Sequence, residues 1–273
     1  MWVAGVRNHR KSREVRGAEF RALHAGEAFV IPNAWDAGSA RVLAALGFKA
    51  LATTSSGFAF TLGRMDGGAT LDDVVAHAAA LATATDLPLS VDLENGYGAD
   101  PESAANAITR IAQAGAVGGS IEDYDPGGRI YELPHAVERI TAAVEAGRGV
   151  GFPFTLTARA DSLIRGRMDL DDTITRLRAF ADAGADVVYA PGLTSVEDIR
   201  ALCGAVSKPV NVLARAGLSL RDIVAAGAQR VSVGGSLTWV AIRAMADAAQ
   251  AILDSGDFSA LSARLPLDRW FSG

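Results

Sequence analysis

Short apolar runs rich in β-branched residues alternate along the chain with longer segments in which Ala, Leu and Arg recur at helical spacing. This alternation is typical of parallel strands joined by crossover helices, because such strands are buried on both faces and need continuous apolar runs. The pattern predicts eight strands, each followed by a segment with a helical pattern. The predicted strands span residues 28–33, 50–54, 87–93, 119–122, 155–160, 186–190, 209–212 and 230–233.

Four predicted helices end in the same way. A glycine closes each helix and the chain then enters the next strand, at Gly47, Gly115, Gly184 and Gly227. Glycine suits these positions because it adopts the left-handed conformation without steric cost. Eight βα units within about 250 residues match an α/β fold of the (β/α)8 TIM-barrel type. An open doubly wound sheet is the alternative, but no Gly-x-Gly-x-x-Gly motif follows the first predicted strand.

The length of 273 residues fits one large α/β domain. We predict a basic N-terminal tail over residues 1–20 and a barrel catalytic domain with a C-terminal helical extension over residues 21–273. Hydrophobic residues at 49% and charged residues at 21% are close to the average for folded chains, which excludes disorder and fibrous repeats. The net charge of −5, without a basic stripe in the body of the chain, argues against a nucleic-acid partner.

The cysteine content and the length of the apolar runs indicate the cellular compartment of the protein. Cys203 is the only cysteine, so the chain forms no internal disulfide and has no cysteine pair with metal-ligand spacing. The apolar runs are too short for a signal peptide or a membrane span. These features predict a cytoplasmic protein without a membrane partner.

Polar residues are concentrated at the carboxyl ends of the predicted strands, where the active site of such a barrel lies. Asp92 and Glu94 are two positions apart, so both side chains point to one face, and Glu122 ends the next strand. Together with Asp66 they form a set of oxygen donors without a nearby His or Cys. Such a set is typical of Mg²⁺, with Mn²⁺ as a substitute.

Other chemistry at the same strand ends is consistent with this cation site. Arg159 has the fork geometry to grip a substrate carboxylate, and the amides of the turn over residues 54–57 are suited to an enolate oxyanion. Taken singly, an Asp-x-Glu pair is usually a solvated loop pair, and only the shared location favours a site. A glycosidase carboxylate pair made of Asp92 and Glu122 is an alternative, but no aromatic platform for sugars accompanies it.

Five segments together resemble the isocitrate lyase and phosphoenolpyruvate mutase superfamily, over residues 29–245. They read Ile-Pro-Asn-Ala-Trp-Asp at 31–36, Leu-Gly-Arg-Met-Asp at 62–66, Val-Asp-Leu-Glu-Asn-Gly-Tyr-Gly at 91–98, Ser-Ile-Glu-Asp at 120–123 and Thr-Ala-Arg-Ala-Asp at 157–161. The resemblance implies a (β/α)8 barrel, usually tetrameric, in which the last helix is exchanged between subunits. It also implies Mg²⁺-dependent cleavage or formation of C–C or P–C bonds through a pyruvate-enolate-like species.

The resemblance also implies roles for individual residues. Asp92 resembles the direct metal ligand, and Asp66, Glu94 and Glu122 resemble the acids that hold the metal through water. Arg159 resembles the carboxylate-binding arginine, so Arg159, Glu122 and Asp66 are the expected catalytic residues. The remaining expected substrate contacts are Thr54, Ser55, Ser56, Asp92 and, matching the lyase branch only, Asn211.

The chain departs from the family pattern in the loop after the fourth strand. Residues 123–132 contain neither the Lys-x-Cys-Gly motif of the lyase branch nor the Lys and Asn of the mutase branch. After the sixth strand, Ala190-Pro191-Gly192 replaces the family's Glu or His for the distal end of the substrate. We therefore expect a carbon–carbon lyase acting on a 2-oxo or 2-hydroxy carboxylate. Phosphonomutase-type P–C chemistry and a nearly inactive binder of 2-oxo acids are the alternatives.

The C-terminal region carries apolar side chains beyond what one barrel needs. A predicted helix over residues 236–255 precedes an apolar tail that contains Phe258, Leu261, Leu265, Trp270 and Phe271. A second subunit is the natural cover for such a surface. We predict a homo-oligomer, either a tetramer or a dimer, with the C-terminal helix exchanged between subunits.

Overall fold

The computed structural model describes residues 10–262 and 264–271, and its parallel strands form a barrel surrounded by helices. The strands are β1 (Phe29–Ile31), β2 (Asn33–Ala34), β3 (Leu51–Thr53), β4 (Leu89–Asp92), β5 (Gly118–Glu122), β6 (Tyr124–Asp125), β7 (Arg129–Ile130), β8 (Thr155–Arg159), β9 (Val187–Tyr189), β10 (Val210–Leu213) and β11 (Arg230–Ser232). Along the sheet they follow the order β1-β11-β10-β9-β8-β5-β4-β3-β2, and every neighbouring pair is parallel. A separate antiparallel hairpin consists of β6 and β7.

The helices alternate with these strands, as the sequence pattern predicts. They are α1 (Arg13–Leu23), α2 (Ala37–Ala45), α3 (Ser55–Thr61), α4 (Leu71–Ala84), α5 (Pro101–Gln113), α6 (Leu133–Gly149), α7 (Leu170–Asp182), α8 (Val196–Ala205), α9 (Leu220–Ala225), α10 (Ser236–Ser255) and α11 (Leu267–Phe271), with a 3-10 turn at Ser259–Ser262. The predicted glycine joints are confirmed, because Gly47, Gly115, Gly184 and Gly227 have φ angles of 95°, 107°, 106° and 109°. Within the described residues, no helix combines the length and the apolar character needed to cross a membrane.

The barrel closes at the first predicted strand, which proline divides into two pieces. Pro32 has no backbone N–H, so it cannot continue the ladder as a donor. Strand β1 before it pairs with β11, the last strand, while β2 after it pairs with β3. The Pro32 carbonyl still accepts a 2.9 Å hydrogen bond from the Ala52 amide. The predicted α/β barrel of the TIM type is therefore confirmed.

The side chain of Asn33 fastens this closure. Its Oδ1 accepts hydrogen bonds from the backbone amides of Val233 and Gly234, at 3.0 and 2.9 Å. Its Nδ2 donates to the carbonyl of Thr53 at 2.6 Å. Asn33, in β2, thus links the segment directly after β11 to β3 across the seam, and its buried polar atoms are paired.

Helix α1 closes the amino end of the barrel. Its Phe20 is fully buried in a small cluster with Phe29 and Ile31 of β1 and with Ala50 and Val117, which directly precede β3 and β5. The predicted boundary between the basic tail and the barrel, at residue 20, falls inside this helix. Residues 1–9 of the predicted tail lie outside the described residues.

Candidate functional site

Arg159, the last residue of β8, forms ion pairs with three carboxylates, two from other strand ends and one from its own segment. Its Nη1 lies 2.9 Å from Asp92 Oδ1, at the end of β4, and its Nη2 lies 2.8 Å from Glu122 Oε2, at the end of β5. Asp161 meets the same guanidinium in a bidentate fork, with Nε–Oδ1 at 3.1 Å and Nη2–Oδ2 at 2.9 Å. The ends of adjacent parallel strands thus bring Asp92, Glu122 and Arg159 together, as the sequence predicts.

Within this cluster Glu122 and Asp161 are buried, whereas the side chains of Asp92 and Arg159 remain 17% and 13% exposed. The charges of the cluster strongly affect one another. Burial raises the pKa of Glu122 well above its usual value; Arg159 opposes the rise, while Asp161 and Asp92 add to it. Burial acts to lower the pKa of Arg159, but Asp161, Glu122 and Asp92 outweigh it and raise that pKa well above the usual range. Arg159 therefore contacts three carboxyl groups, of which Glu122 is shifted toward its protonated form.

Asp92 also contacts groups from two neighbouring segments. Its Oδ2 accepts from the backbone amide of Ser55 at 3.3 Å, and its Oδ1 lies 3.4 Å from Ser120 Oγ. Its own amide donates to Thr53 Oγ1 at 2.8 Å. These bonds fix the carboxylate at the mouth of the barrel, beside the first turn of α3.

Glu94 and Asp66 lie farther out on the same side. Glu94 has a left-handed φ of 49°, and the Tyr97 hydroxyl donates to its Oε1 at 3.3 Å. Burial, with repulsion from Asp92 and Asp66, raises the pKa of Glu94 to about 7. Asp66 lies in an exposed turn after α3, and a Cβ on its neighbour Gly67 would be 3.8 Å from Glu94 Oε2.

The predicted metal-binding carboxylates surround the mouth without forming a compact cage. Across residues 10–262 and 264–271, no three His, Cys, Asp or Glu side chains lie close enough to hold one metal ion together. The donor set of Asp66, Asp92, Glu94 and Glu122 nevertheless fits a hard cation in its chemistry, because it offers only carboxylate oxygens and carries surplus negative charge.

The turn after β3 begins α3. Thr54 caps the helix, since its Oγ1 accepts from the Gly57 amide at 3.4 Å and lies 3.2 Å from Ser56 Oγ. A Cβ at Gly57 would approach Thr238 Oγ1 to 2.6 Å, so glycine allows α3 to pack directly against α10. The turn over residues 54–57 is thereby held with the Ser55 amide facing Asp92.

A small cavity of about 70 Å³ extends into the barrel from this cluster. Four predicted site residues line it, namely Thr54, Asp92, Arg159 and Asn211. Three further predicted site residues, Ser55, Ser56 and Glu122, contact members of that group directly. The other lining residues are Ile31, Asn33, Ala52, Thr53, Ser90, Ser120, Tyr189, Arg230, Ser232 and Gly234.

Two further charged residues, Asp123 and Arg176, hold the cluster in place through hydrogen bonds. Asp123 is buried and accepts from the Asp161 amide at 2.8 Å and from Arg176 Nη1 at 3.3 Å. Burial raises the pKa of Asp123 to about 6, against the effect of those hydrogen bonds. Arg176 also donates to the Tyr131 carbonyl at 2.8 Å, so these two residues tie the loop after β5 to the site. Asp161 and Asp123 stand in the sequence motifs, but Arg176 lies in a helix where only three-dimensional contact reveals its role.

The loop after β5 forms the hairpin of β6 and β7. Arg165, from the loop after β8, stacks over the ring of Tyr124 in this hairpin, with 3.7 Å between the guanidinium carbon and the ring centroid. Its Nη2 lies 3.8 Å from Glu122 and 3.7 Å from Asp161. Sequence reasoning assigned no role to Arg165, because nothing in the pattern of an exposed loop shows which way it folds.

Comparison with known proteins identifies the family. The family model described as phosphoenolpyruvate phosphomutase matches residues 20–253. The chain belongs to the phosphoenolpyruvate mutase/isocitrate lyase superfamily. The 2-methylisocitrate lyase of Salmonella typhimurium is 32% identical over 206 residues, which cover 71% of this chain and 68% of that protein.

Two solved structures resemble this superfamily member closely. A protein of Burkholderia cenocepacia J2315, described as a "putative lyase/mutase", is 48% identical with a TM-score of 0.92 over 96% of this chain and 97% of the other. An oxaloacetate acetylhydrolase in complex with its product oxalate is 27% identical with a TM-score of 0.85 over 93% of each chain. The superfamily predicted from the motifs is thus confirmed, and the protein is an enzyme of the phosphoenolpyruvate mutase/isocitrate lyase superfamily.

Proposed function

We propose that this enzyme cleaves or forms a carbon–carbon bond of a 2-oxo or 2-hydroxy carboxylate through a pyruvate-enolate-like species, with Mg²⁺ as cofactor and Mn²⁺ as a substitute. The observation that carries the proposal is the cluster of Arg159 with Asp92 and Glu122 at the mouth of a small cavity. The names of the relatives, which include a lyase and an oxaloacetate acetylhydrolase, support carbon–carbon chemistry.

The acidic residues at the mouth supply the proposed metal site. Asp92 would hold the cation directly, and Asp66, Glu94 and Glu122 would hold it through water. When bound, the cation supplies Lewis-acid stabilisation of the developing enolate oxygen. The crowding of carboxyl groups around Asp92 supports this assignment, because their mutual repulsion raises the pKa of Glu94 and of Glu122 and a bound cation would relieve that repulsion.

The protein groups around the cavity would bind and orient the substrate. Arg159, Glu122 and Asp66 are the proposed catalytic residues. Arg159 is suited to a carboxylate or an enolate oxygen, because its guanidinium is held rigidly by the fork to Asp161. The turn formed by Thr54, Ser55 and Ser56 and the amide of Asn211 complete the proposed substrate contacts.

The hairpin residues favour carbon–carbon over phosphorus–carbon chemistry. The loop over residues 123–132 carries neither a Lys nor an Asn that would meet a phosphonate. Its Arg129 is tied to Asp125 at 3.0 Å and is 82% exposed. Phosphonomutase-type chemistry is therefore the second candidate function.

The proposed assembly is a homo-oligomer, a tetramer or a dimer, in which α10 exchanges between subunits. In the described part of the chain, Thr238 is the only buried residue of the 20-residue helix α10. Trp239, Val240, Met245 and Leu253 are exposed on it. An apolar surface of this size is typical of a subunit contact.

A turnover screen tests the proposed reaction. Purified enzyme with Mg²⁺ is offered a panel of 2-oxo and 2-hydroxy dicarboxylates, and products are followed by NMR. We expect one substrate to yield a cleaved product, with the rate abolished in Glu122→Gln and unchanged in Glu132→Gln, which alters an exposed glutamate of the same region. Tight binding of a 2-oxo acid without any product would instead favour a nearly inactive binder.

A further inference from the structure

Arg230 lies inside the barrel on the amino side of the candidate site. It is the first residue of β11, whereas Ser232 is the last, and parallel strands run toward the mouth. Its side chain is 5% exposed and lines the same cavity as Asp92 and Arg159. Arg230 therefore forms part of the floor of that cavity.

The hydrogen-bond partners of Arg230 are neutral groups. Its Nε donates to Asn211 Oδ1 at 2.8 Å, and its Nη2 donates to Thr157 Oγ1 at 2.9 Å. Its Nη1 lies 3.2 Å from Nε2 of His24, the residue that follows α1. The Nδ1 of His24 is 2.8 Å from the Phe20 carbonyl, so the ring donates there and accepts from Arg230 through Nε2.

His24 remains neutral in this setting and does not add a second charge. Burial, together with the nearby charge of Arg230, lowers the pKa of His24 to about 3. Burial also lowers the pKa of Arg230 to about 10, and among the described residues Tyr189 is the acidic group that acts on it. No carboxylate in the described part of the chain therefore compensates the guanidinium of Arg230.

The contrast with Arg159 is sharp, although both guanidiniums line one cavity. Arg159 forms ion pairs with Asp92, Glu122 and Asp161, so its charge is compensated inside the protein. Arg230 has five N–H donors, and the three bonds above leave two of them available. A buried charge without a counter-ion is costly, and an anion in the cavity would remove that cost.

We propose that Arg230 forms a subsite at the floor of the cavity that binds the carboxylate group of a small ligand. Asn211, Thr157 and His24 hold the guanidinium in place, and its remaining N–H groups meet the carboxylate oxygens in the geometry that arginine favours. The inference rests on the proposed function only in identifying this ligand as substrate or product. The acidic mouth and the basic floor then give the cavity opposite charges at its two ends.

The size of the cavity limits the group that enters. A volume of about 70 Å³ leaves room for only a few non-hydrogen atoms. A carboxylate with one or two carbons fits that limit, whereas a bulky sulfonate buffer does not. Formate is therefore the probe, and formamide is its neutral counterpart of similar shape.

The experiment measures the melting temperature of the full-length enzyme against formate concentration. EDTA is present, and a bulky sulfonate keeps the ionic strength constant. We expect formate, but not formamide, to raise the melting temperature of the wild type, because a ligand of the folded state stabilises it by mass action. Arg230→Gln should weaken the apparent affinity for formate by at least about tenfold, since a charged hydrogen bond is lost. Arg215→Gln, which removes an exposed arginine from the loop after β10, should respond as the wild type does.

Asn211→Asp gives a second test that does not rely on removing Arg230. It places a carboxylate on the Nε partner of Arg230 with almost no change in shape. We expect it to raise the melting temperature without formate and to abolish the formate response, since the buried charge is then paired inside the protein. This variant decides the question if Arg230→Gln does not fold.

The results separate this subsite from the proposed function. No formate response in the wild type, or a full response in Arg230→Gln or Asn211→Asp, would overturn the subsite. Because the experiment contains no metal, a formate response by itself says nothing of the metal-dependent reaction. An enzyme that responds to formate but turns over no dicarboxylate would keep the subsite and refute the proposed reaction.

Discussion

Arg159 and Asp161, two residues apart at the end of β8, form a bidentate ion pair inside the barrel. Asp161 is fully buried, and its backbone amide is in turn held by Asp123 Oδ1 at 2.8 Å. Arg159 is thereby locked before any ligand arrives, with its guanidinium between Asp92 and Glu122. Rigid support of this kind is what a catalytic arginine needs for productive geometry.

Replacement of Asp161 by Asn should weaken ligand binding at Arg159. The neutral amide offers one acceptor oxygen where the carboxylate offers two, so the fork is lost. We expect binding of oxalate with Mg²⁺ to weaken by about tenfold or more, as measured by calorimetry. Asp72→Asn is the matched control, because it removes an exposed aspartate paired with Arg110 at 2.7 Å. Unchanged oxalate affinity in Asp161→Asn would show that Asp161 does not position Arg159.

His77 should make the stability of the enzyme depend on pH. It is buried, stacks on Phe58 with centroids 3.9 Å apart, and its Nε2 lies 3.0 Å from the Trp35 carbonyl. Burial lowers its pKa to about 4, with only partial opposition from that carbonyl and Asp36. As the pH falls from about 6.5 toward 4, the unfolded chain binds a proton at His77 that the folded chain does not bind. The contribution of His77 to the free energy of unfolding is therefore fully present above about pH 6.5 and decreases as the pH drops toward 4.

Thermal unfolding between about pH 7.5 and about pH 5 measures this dependence. We expect His77→Phe to lose stability at the higher pH, since the Trp35 carbonyl loses its partner, but to show a shallower decrease on acidification than the wild type. His135→Gln alters a histidine near the surface and serves as the control. Equal slopes for the wild type and His77→Phe would contradict the assigned role.

Arg139 should be essential for the loop that follows Asp92 and Glu94. It is 1% exposed and donates to the carbonyls of Asn95, Gly98, Ala99 and Asp100. Arg139→Met removes the donor from the carbonyl of the buried Asn95 and from that of the half-buried Gly98, so we expect the free energy of unfolding to fall by about 3 kcal/mol or more. Chemical denaturation measures this, with Arg129→Met on the exposed hairpin as control. If Arg139→Met loses as little free energy of unfolding as the control, the conformation of the loop does not depend on Arg139.

The exposed apolar side of α10 should mediate assembly. We expect the wild type to sediment as an oligomer at micromolar concentration, and Met245→Asp with Leu253→Asp to shift it toward the monomer, because buried charges oppose association. Gln250→Asp, on the same helix, adds one charge at a polar position and should leave the oligomer intact. A wild type that sediments as a monomer would contradict the proposed assembly.

The barrel was predictable because both of its sequence signals, the hydrophobic periodicity and the glycines that end helices, depend only on residues close together in the chain. Gly118–Glu122 and Thr155–Arg159 match the predicted strands closely, and the glycine joints adopt the left-handed conformation that their position requires. The break at Pro32 was missed, since an apolar run shows no interruption where only one N–H is absent. Helix α3 and the hairpin after β5 were also missed, because each is short and depends on contacts from distant segments.

The candidate site was likewise predictable only in part. Asp92, Glu122 and Arg159 were predictable as neighbours, because they end strands that are adjacent in the barrel. The contact between His24 and Arg230 joins residues 206 positions apart and follows from how α1 packs beneath the barrel. Sequence spacing carries no information on such a contact, so the polar floor of the cavity emerged only from the structure.

The most direct measurement is the melting temperature of the enzyme with oxalate, with Mg²⁺ and with both. Oxalate mimics a pyruvate enolate, and a ligand that binds only the folded state raises the melting temperature. We predict a shift with both together that neither alone produces, and its loss in Asp92→Ala, which keeps the fold because Arg159 remains paired with Glu122 and Asp161. No shift under any condition, or an equal shift in Asp92→Ala, would contradict the proposed metal-dependent enolate site.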